Sequence, residues 1–205
     1  MIKPLFRRHL AVCAVISFCS LGAGCIESRP PLEPRFYLVP TSFDVPQRGE
    51  DGAPAVRISS VTSAAHIGER ICWRLSDVEV AFDDENRWAA DPRELVRDAL
   101  EQACFAEGSL QKSTERRGAE LSVHLEGFEG ALEVKEARVV LRAQLSTQRD
   151  AAQFQHRVSL QRPLSATETE DLVRVLGELL EAAVTEVADW AEAELQQVKK
   201  EAESN

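Results

Sequence analysis

The stretch NRWAADPRELVRDALEQACF, residues 86–105, contains the clearest helix start in this chain and separates two groups of strands. Asp91 can accept hydrogen bonds from free amides at a helix N-terminus, and Pro92 suits the first helical position. Glu94 can reach back to the cap. Apolar residues then follow at helical spacing: Leu95, Val96, Ala99, Leu100 and Ala103. Gly108 offers a stop, so the pattern predicts a helix with one buried face.

On both sides of this helix, apolar residues recur in short segments that are typical of strands. The segments before it are 36–39, 56–61, 70–75 and 78–82, and those after it are 121–128, 139–145 and 154–160. The pair 70–75 and 78–82 has opposite parity, so a turn near Ser76 must reset the register, and a hairpin is the simplest account. The last three segments are separated by charged or glycine-containing turns, which predicts an antiparallel meander with one buried face.

The C-terminal part of the chain predicts a second, longer helix. Residues 165–168 have capping-box spacing, and a broad apolar stripe runs from Leu172 to Trp190. Residues 191–205 lose apolar density, so we expect a charged helical tail that frays or projects into solvent. The order β-β-β-β-α-β-β-β-α therefore predicts an α+β fold, with two helices packed on a largely antiparallel sheet.

The first 24 residues have the pattern of a bacterial lipoprotein signal peptide. A cationic start precedes an apolar run from Leu10 to Leu21, which is too short to span a bilayer. Small residues at 22–24 precede Cys25, so we expect diacylglycerol and an N-acyl chain on that cysteine; ordinary secretion and an uncleaved anchor are the alternatives. Residues 25–35, with three prolines, predict an extended tether.

The charge and the cysteines limit the classes of function. Cleavage after residue 24 leaves 21 basic against 34 acidic residues, a formal charge of −13, which argues against nucleic acid and anionic lipid surfaces as partners. Cys72 and Cys104 remain in the exported body, where an oxidising compartment permits a disulfide between them. Each could equally be a small buried side chain.

Several segments together carry a likeness to one family. They are Phe36-Tyr37-Leu38-Val39, Val56-Arg57-Ile58, the strand 70–75 and, above all, residues 86–92 at the entry to the first helix. The later segments, 120–123, 127–129, 137–145 and the long helix ending near Trp190, follow in the same order. The body at 36–190 thus resembles the ABC-type transport auxiliary lipoproteins, the PqiC-like group that accompanies MCE-domain lipid transport systems. The loop 41–54 and the charged tail depart from that pattern.

The resemblance implies a non-enzymatic subunit that docks onto a periplasmic MCE protein or its ABC permease complex and helps lipid to cross the Gram-negative envelope. Ile26 follows the lipidated cysteine where an aspartate would resemble an inner-membrane retention signal. This favours anchoring in the outer membrane, on its periplasmic face. The alternative is a stand-alone outer-membrane lipoprotein that carries an apolar ligand or serves as a structural assembly factor.

The residues themselves predict no catalytic, cofactor or metal site. His66, His124 and His156 form no close ligand pair, no serine lies in a nucleophile elbow, and the acidic run 83–85 is typical of a solvated turn. Trp88 and Trp190 are candidate anchors for a partner, because tryptophan often carries interface energy. The alternative interpretation places them in the core, with Trp88 closing the entry to the first helix.

Overall fold

The computed structural model describes residues 33–40, 53–105, 110–114, 118–147 and 153–204. The signal peptide, Cys25, Gly108 and most of the 41–54 loop lie outside the described residues. In chain order the elements are β1 (Arg35–Tyr37), β2 (Ala55–Ser63), β3 (Arg70–Arg74), β4 (Val80–Trp88), α1 (Pro92–Phe105), β5 (Gln111–Lys112), β6 (Ala119–Ala131), β7 (Glu136–Ser146), β8 (Gln153–Pro163) and α2 (Thr169–Ser204). Within these ranges, two helices accompany an eight-stranded sheet, which confirms the α+β class.

Helix α1 begins as its sequence predicts. Asp91 Oδ1 accepts a hydrogen bond from the backbone N–H of Arg93 at 2.8 Å, and the Asp91 carbonyl accepts those of Glu94 and Leu95. Hydrogen bonds from the Arg93 guanidinium also hold the pKa of the Asp91 carboxyl below its usual value. The cap therefore ties the end of β4 to the first turn of α1.

Strands β6, β7 and β8 form the predicted antiparallel meander. Leu121 lies opposite Leu145, and Leu145 lies opposite Phe154, so one face is shared across the three strands. Side chains alternate along a strand, and the helix-facing set is apolar and almost fully buried. It includes Leu121, Val123, Leu125, Phe128, Val139, Leu141, Ala143, Leu145 and Val158.

The other edge of β6 carries parallel pairings that the sequence pattern does not reveal. Strand β2 pairs with its first half, from Val56 opposite Ala119 to Ser63 opposite Leu125. Strand β3 pairs with its last residues, with Trp73 opposite Gly130. Two successive strands thus lie end to end along one long strand, which continues past a bulge between Leu125 and Gly127.

The predicted hairpin around Ser76 joins β3 to β4, which pair antiparallel with Cys72 opposite Phe82. Strand β4 is longer than expected, because it continues through the acidic run 83–85 to Trp88. Asp83 Oδ1 accepts the backbone N–H groups of Glu85 and Asn86, and Asp84 and Glu85 are exposed, so the predicted solvated turn is present as a local turn within the strand. Burial acts to raise the pKa of Asp83, but the hydrogen bonds from the Asn86 side-chain amide and from these two backbone groups outweigh burial, so the pKa lies below its usual value.

Helix α2 covers the apolar face of the sheet. It begins at Thr169, so the predicted capping box at 165–168 does not form; instead Asp171 accepts the backbone N–H groups of Ser165 and Ala166. Gly130 permits close packing here, because a Cβ atom there would overlap the Trp73 ring and lie 3.2 Å from Leu172.

The end of α2 is helical, as predicted, but it leaves the core later than the predicted boundary at residue 191. The helix continues without interruption to Ser204, and its buried stripe extends beyond Trp190 to Ala191 and Leu195. Exposure is continuous only from Lys199 onward. No helix in the described part of the chain is both long enough and apolar enough to cross a bilayer.

Candidate functional site

Trp88 lies at the end of β4 with 4% of its surface exposed. Its ring packs at 5.1 Å between centroids from that of Phe128, tilted by 50°. Trp88 thus belongs to the buried hydrophobic core. The core interpretation of Trp88 therefore holds, and its candidate role as a surface anchor is corrected, because a buried ring cannot be presented to a partner.

Trp190 occupies a different environment, on the flank of α2 that faces β8. It is partly buried and stacks on His156, with ring centroids 5.3 Å apart and planes 18° from parallel. Its Nε1–H donates to Glu194 at 3.2 Å, while His156 Nε2 lies 3.1 Å from Glu186 Oε1. Trp190 thus joins the sheet edge to α2, and its role in partner binding stays a prediction.

The two cysteines are buried free thiols, so the disulfide that they could form is not present in this structure. Ile71 and Trp73 point into the core, which places Cys72 on the opposite face of the sheet, called here the helix-free face because neither helix of the described residues packs on it. Cys104 lies in the core at the end of α1, so the sheet separates the two sulfur atoms. Burial raises the pKa of Cys72 to about 11 and that of Cys104 to about 12. Both thiols are protonated at neutral pH and are therefore poor nucleophiles.

A buried carboxylate beside Cys72 is the main feature that the sequence did not reveal. Glu129 on β6 is only 1% exposed. Arg74 Nε donates to Glu129 Oε1 at 2.6 Å, and His66 Nε2 lies 3.3 Å from Oε2. The hydrogen bond to Glu129 raises the pKa of Arg74. This arrangement pairs a buried charge and fastens β3 and the β2–β3 connection to β6.

No sequence motif points to this cluster, because Arg74 and His66 lie more than fifty residues before Glu129 and meet it only through the parallel β3–β6 pairing. The one available signal is strand parity. Counted from Leu121, Val123 and Leu125, it places Glu129 on the apolar face, but the bulge between Leu125 and Gly127 turns the side chain to the opposite face.

The helix-free face of the meander carries a second polar network. Glu126 accepts hydrogen bonds from Arg142 on β7 and from Arg157 on β8, the latter at 2.9 Å. Burial acts to raise the pKa of Glu126, but the hydrogen bonds from the two guanidinium groups outweigh burial, so the pKa lies below its usual value. Val140, two residues before Arg142 on β7, is fully buried, so this face is only partly exposed to solvent.

Near this network, Thr62 Oγ1 lies 2.9 Å from His124 Nδ1 in a polar depression. Within the described ranges, no group of three or more histidine, cysteine, aspartate or glutamate side chains could hold a metal ion. The described residues of the helix-free face therefore offer hydrogen-bonding groups and paired charges.

Comparison with known proteins identifies the family to which the chain belongs. Residues 37–188 match the family model described as the ABC-type transport auxiliary lipoprotein component. None of the curated proteins compared with the chain is significantly similar to it.

Among solved structures, the fold is similar to that of protein XCC0632 from Xanthomonas campestris, with 20% identity and a TM-score of 0.64, covering 81% of this chain and 99% of that one. An uncharacterized protein aligns with 14% identity and a TM-score of 0.62, covering 77% and 97%. The hypothetical protein CT253 from Chlamydia trachomatis aligns with 6% identity and a TM-score of 0.52, covering 70% and 98%. At these identities the likeness is one of fold.

Proposed function

Because this chain belongs to the family of ABC-type transport auxiliary lipoprotein components, we propose that it is a non-catalytic subunit of an MCE-type ABC transport system. In this role it docks onto a periplasmic MCE protein or the permease complex and helps lipid to cross the Gram-negative envelope. One observation carries the proposal: the family match runs from Tyr37 in β1 to Ala188 in α2, so it includes nearly the whole folded body.

The chemistry of the described residues supports a non-catalytic role. Both cysteine thiols have strongly raised pKa values, and the buried carboxylate of Glu129 is already engaged by Arg74. On the helix-free face, Thr62 contacts His124, and Glu126 accepts hydrogen bonds from Arg142 and Arg157. These features suit a folded adaptor that binds other proteins through its surface.

We place the protein at the periplasmic face of the outer membrane, held by lipid on Cys25. The support comes from the N-terminal sequence: small residues before the cysteine, Ile26 after it, and a proline-containing stretch before β1. At about 3.1 Å per residue for an extended proline-rich chain, residues 25–35 would hold the folded body within roughly 30 Å of the anchor.

The test is purification of the tagged, lipidated protein from envelopes after mild crosslinking, with proteins and lipids identified by mass spectrometry. We expect an MCE protein or an ABC permease to co-purify. The Cys25→Ser variant is the matched control: without the anchor it should reach the same partner less efficiently. Recovery of stoichiometric lipid with no transport protein would instead favour the stand-alone carrier and contradict the proposal.

A further inference from the structure

Strand β8 forms a long edge of the sheet. Among the described strands, the sheet ends at β1, β5 and β8, and β8 pairs only with β7. Strands β1 and β5 have three and two residues, whereas β8 has eleven. An edge of this length presents a row of backbone groups to which another strand can add.

The register shows which backbone groups point outward. Leu164 donates its N–H to the carbonyl of Lys135 at 2.8 Å, one position beyond the Glu136–Pro163 pair. Bonded and non-bonded pairs alternate in an antiparallel ladder. The residues of β8 whose N–H and C=O groups point away from β7 are therefore Gln155, Arg157, Ser159 and Gln161. Pro163 belongs to the same set, and its missing N–H costs no hydrogen bond to β7.

The flank of α2 beside this edge is acidic. Arg162 of β8 pairs with Glu178, and His156 of β8 contacts Glu186, so α2 runs along the edge strand. The same flank carries Glu181 and Asp189, and these carboxylates line one shallow depression. A strand added to β8 would place every second side chain beside them.

The charge of the α2 flank determines which kind of strand can pair with this edge. If two copies paired through β8, the acidic flanks of their α2 helices would be brought together across the new ladder, which like charges disfavour. A basic segment of another protein meets the opposite sign. On the helix-free side, the new strand would face Gln155, Ser159 and Gln161, together with Arg157, which already pairs with Glu126. The side chains of the added strand that point to this side should therefore be uncharged.

We propose that the free edge of β8 binds an extended segment of a partner protein by strand addition, and that basic residues alternate with uncharged ones in that segment. Main-chain hydrogen bonds would provide affinity, and the acidic flank of α2 would select the side chains. The inference deepens the docking function proposed above and rests on it for the source of the segment, an envelope transport partner.

The probe is a labelled ten-residue peptide of alternating lysine and threonine, titrated against the full mature protein by fluorescence anisotropy. The matched control peptide has the same composition in two blocks, five lysines followed by five threonines, so its charge is equal but it cannot place all lysines on one side. We expect the alternating peptide to bind about tenfold more tightly, a difference of about 1.4 kcal/mol, and its affinity to fall as salt is added. Equal affinity for the two peptides would overturn strand addition, and no saturable binding would overturn the proposal as a whole.

Three protein variants distinguish the contribution of the β8 backbone from that of the acidic flank. Ser159→Pro removes a central outward N–H, and Ser159→Ala keeps it; only the proline variant should lose the preference for the alternating peptide. The double variant Glu186→Gln with Asp189→Asn should weaken lysine binding while the backbone pairing remains. Unchanged binding in the proline variant, or self-association through β8 detected by light scattering, would refute the proposal.

A direct readout covers the case in which the proline variant fails to fold. Hydrogen exchange of the unmodified protein should slow at the amides of Gln155, Arg157, Ser159 and Gln161 when the alternating peptide is added, and peptide-induced protection elsewhere only would refute the edge site. Failure of the edge site can also be distinguished from failure of the proposed function. Loss of the peptide site with the transport partner still recovered would reject this edge alone, whereas absence of a transport partner would reject the proposed function.

Discussion

Replacing Arg74 by methionine should test whether the buried pair with Glu129 holds the two halves of the sheet together. The substitution keeps an apolar stem of similar length but leaves the Glu129 carboxylate, which is 1% exposed, without its arginine, while His66 Nε2 lies 3.3 Å away. Breaking a buried ion pair typically costs about 3–5 kcal/mol, because the remaining charge is desolvated without compensation.

The expected loss lies below that range. Arg74 is 23% exposed, so water already screens part of the interaction, and we expect Arg74→Met to lower the free energy of unfolding by about 2–3 kcal/mol. With a urea m-value of about 2 kcal/mol/M, the unfolding midpoint should fall by roughly 1–1.5 M. The assay is urea unfolding of residues 25–205 carrying Cys25→Ser, followed by circular dichroism.

Two variants make this prediction specific. Arg70→Met, on the same strand, removes an ion pair with Asp84 in which the side chains are 46% and 91% exposed, and it should cost under about 1 kcal/mol. Adding Glu129→Gln to Arg74→Met removes the orphaned charge and should restore about 1 kcal/mol or more. The reasoning is wrong if Arg74→Met is no more destabilising than Arg70→Met, or if the added glutamine restores nothing.

Three further outcomes follow from the packing and the titrating groups. Gly130→Ala should destabilise by about 1–3 kcal/mol because the new methyl overlaps the core tryptophan ring, whereas Gly68→Ala, with nothing within 4 Å of the added carbon, should stay within about 0.5 kcal/mol in the same unfolding assay. Asp171→Ala should cost about 1 kcal/mol at neutral pH. Hydrogen bonds from the loop before α2 lower the pKa of Asp171 to about 2, so its contribution is complete above the ordinary carboxyl pKa and is lost as the pH falls towards 2; a deficit that persists at pH 2 would contradict the assignment. Cys72 and Cys104 should resist alkylation at pH 7.5 until the protein is unfolded, as counted by mass spectrometry, and rapid labelling of the native protein would refute their burial.

Local sequence chemistry was sufficient to predict those elements whose signals lie within a few residues. The cap at Asp91, the proline after it and the apolar stripe of α1 act over one or two helical turns, so neighbouring residues decide them. Alternation likewise identified the helix-facing side of the β6–β8 meander, because short turns force successive strands to pair antiparallel. The lipoprotein signal and the candidate lipidation site at Cys25 are also predictions of sequence alone.

Tertiary structure decided the features that depend on which distant strands become neighbours. Periodicity shows that a strand has two faces, but it does not show that β2 and β3 lie end to end along β6, and therefore it could not show that Glu129 would be buried beside Arg74. The same limit applies to the two tryptophans. In the sequence, both are aromatic residues near the predicted boundary of an element, so the pattern does not distinguish a buried ring from an exposed one. Packing against Phe128 buries Trp88, whereas the edge position of β8 leaves Trp190 partly exposed. Side-chain chemistry is local, but burial is a property of the assembled sheet, because it depends on every element that excludes water from a residue.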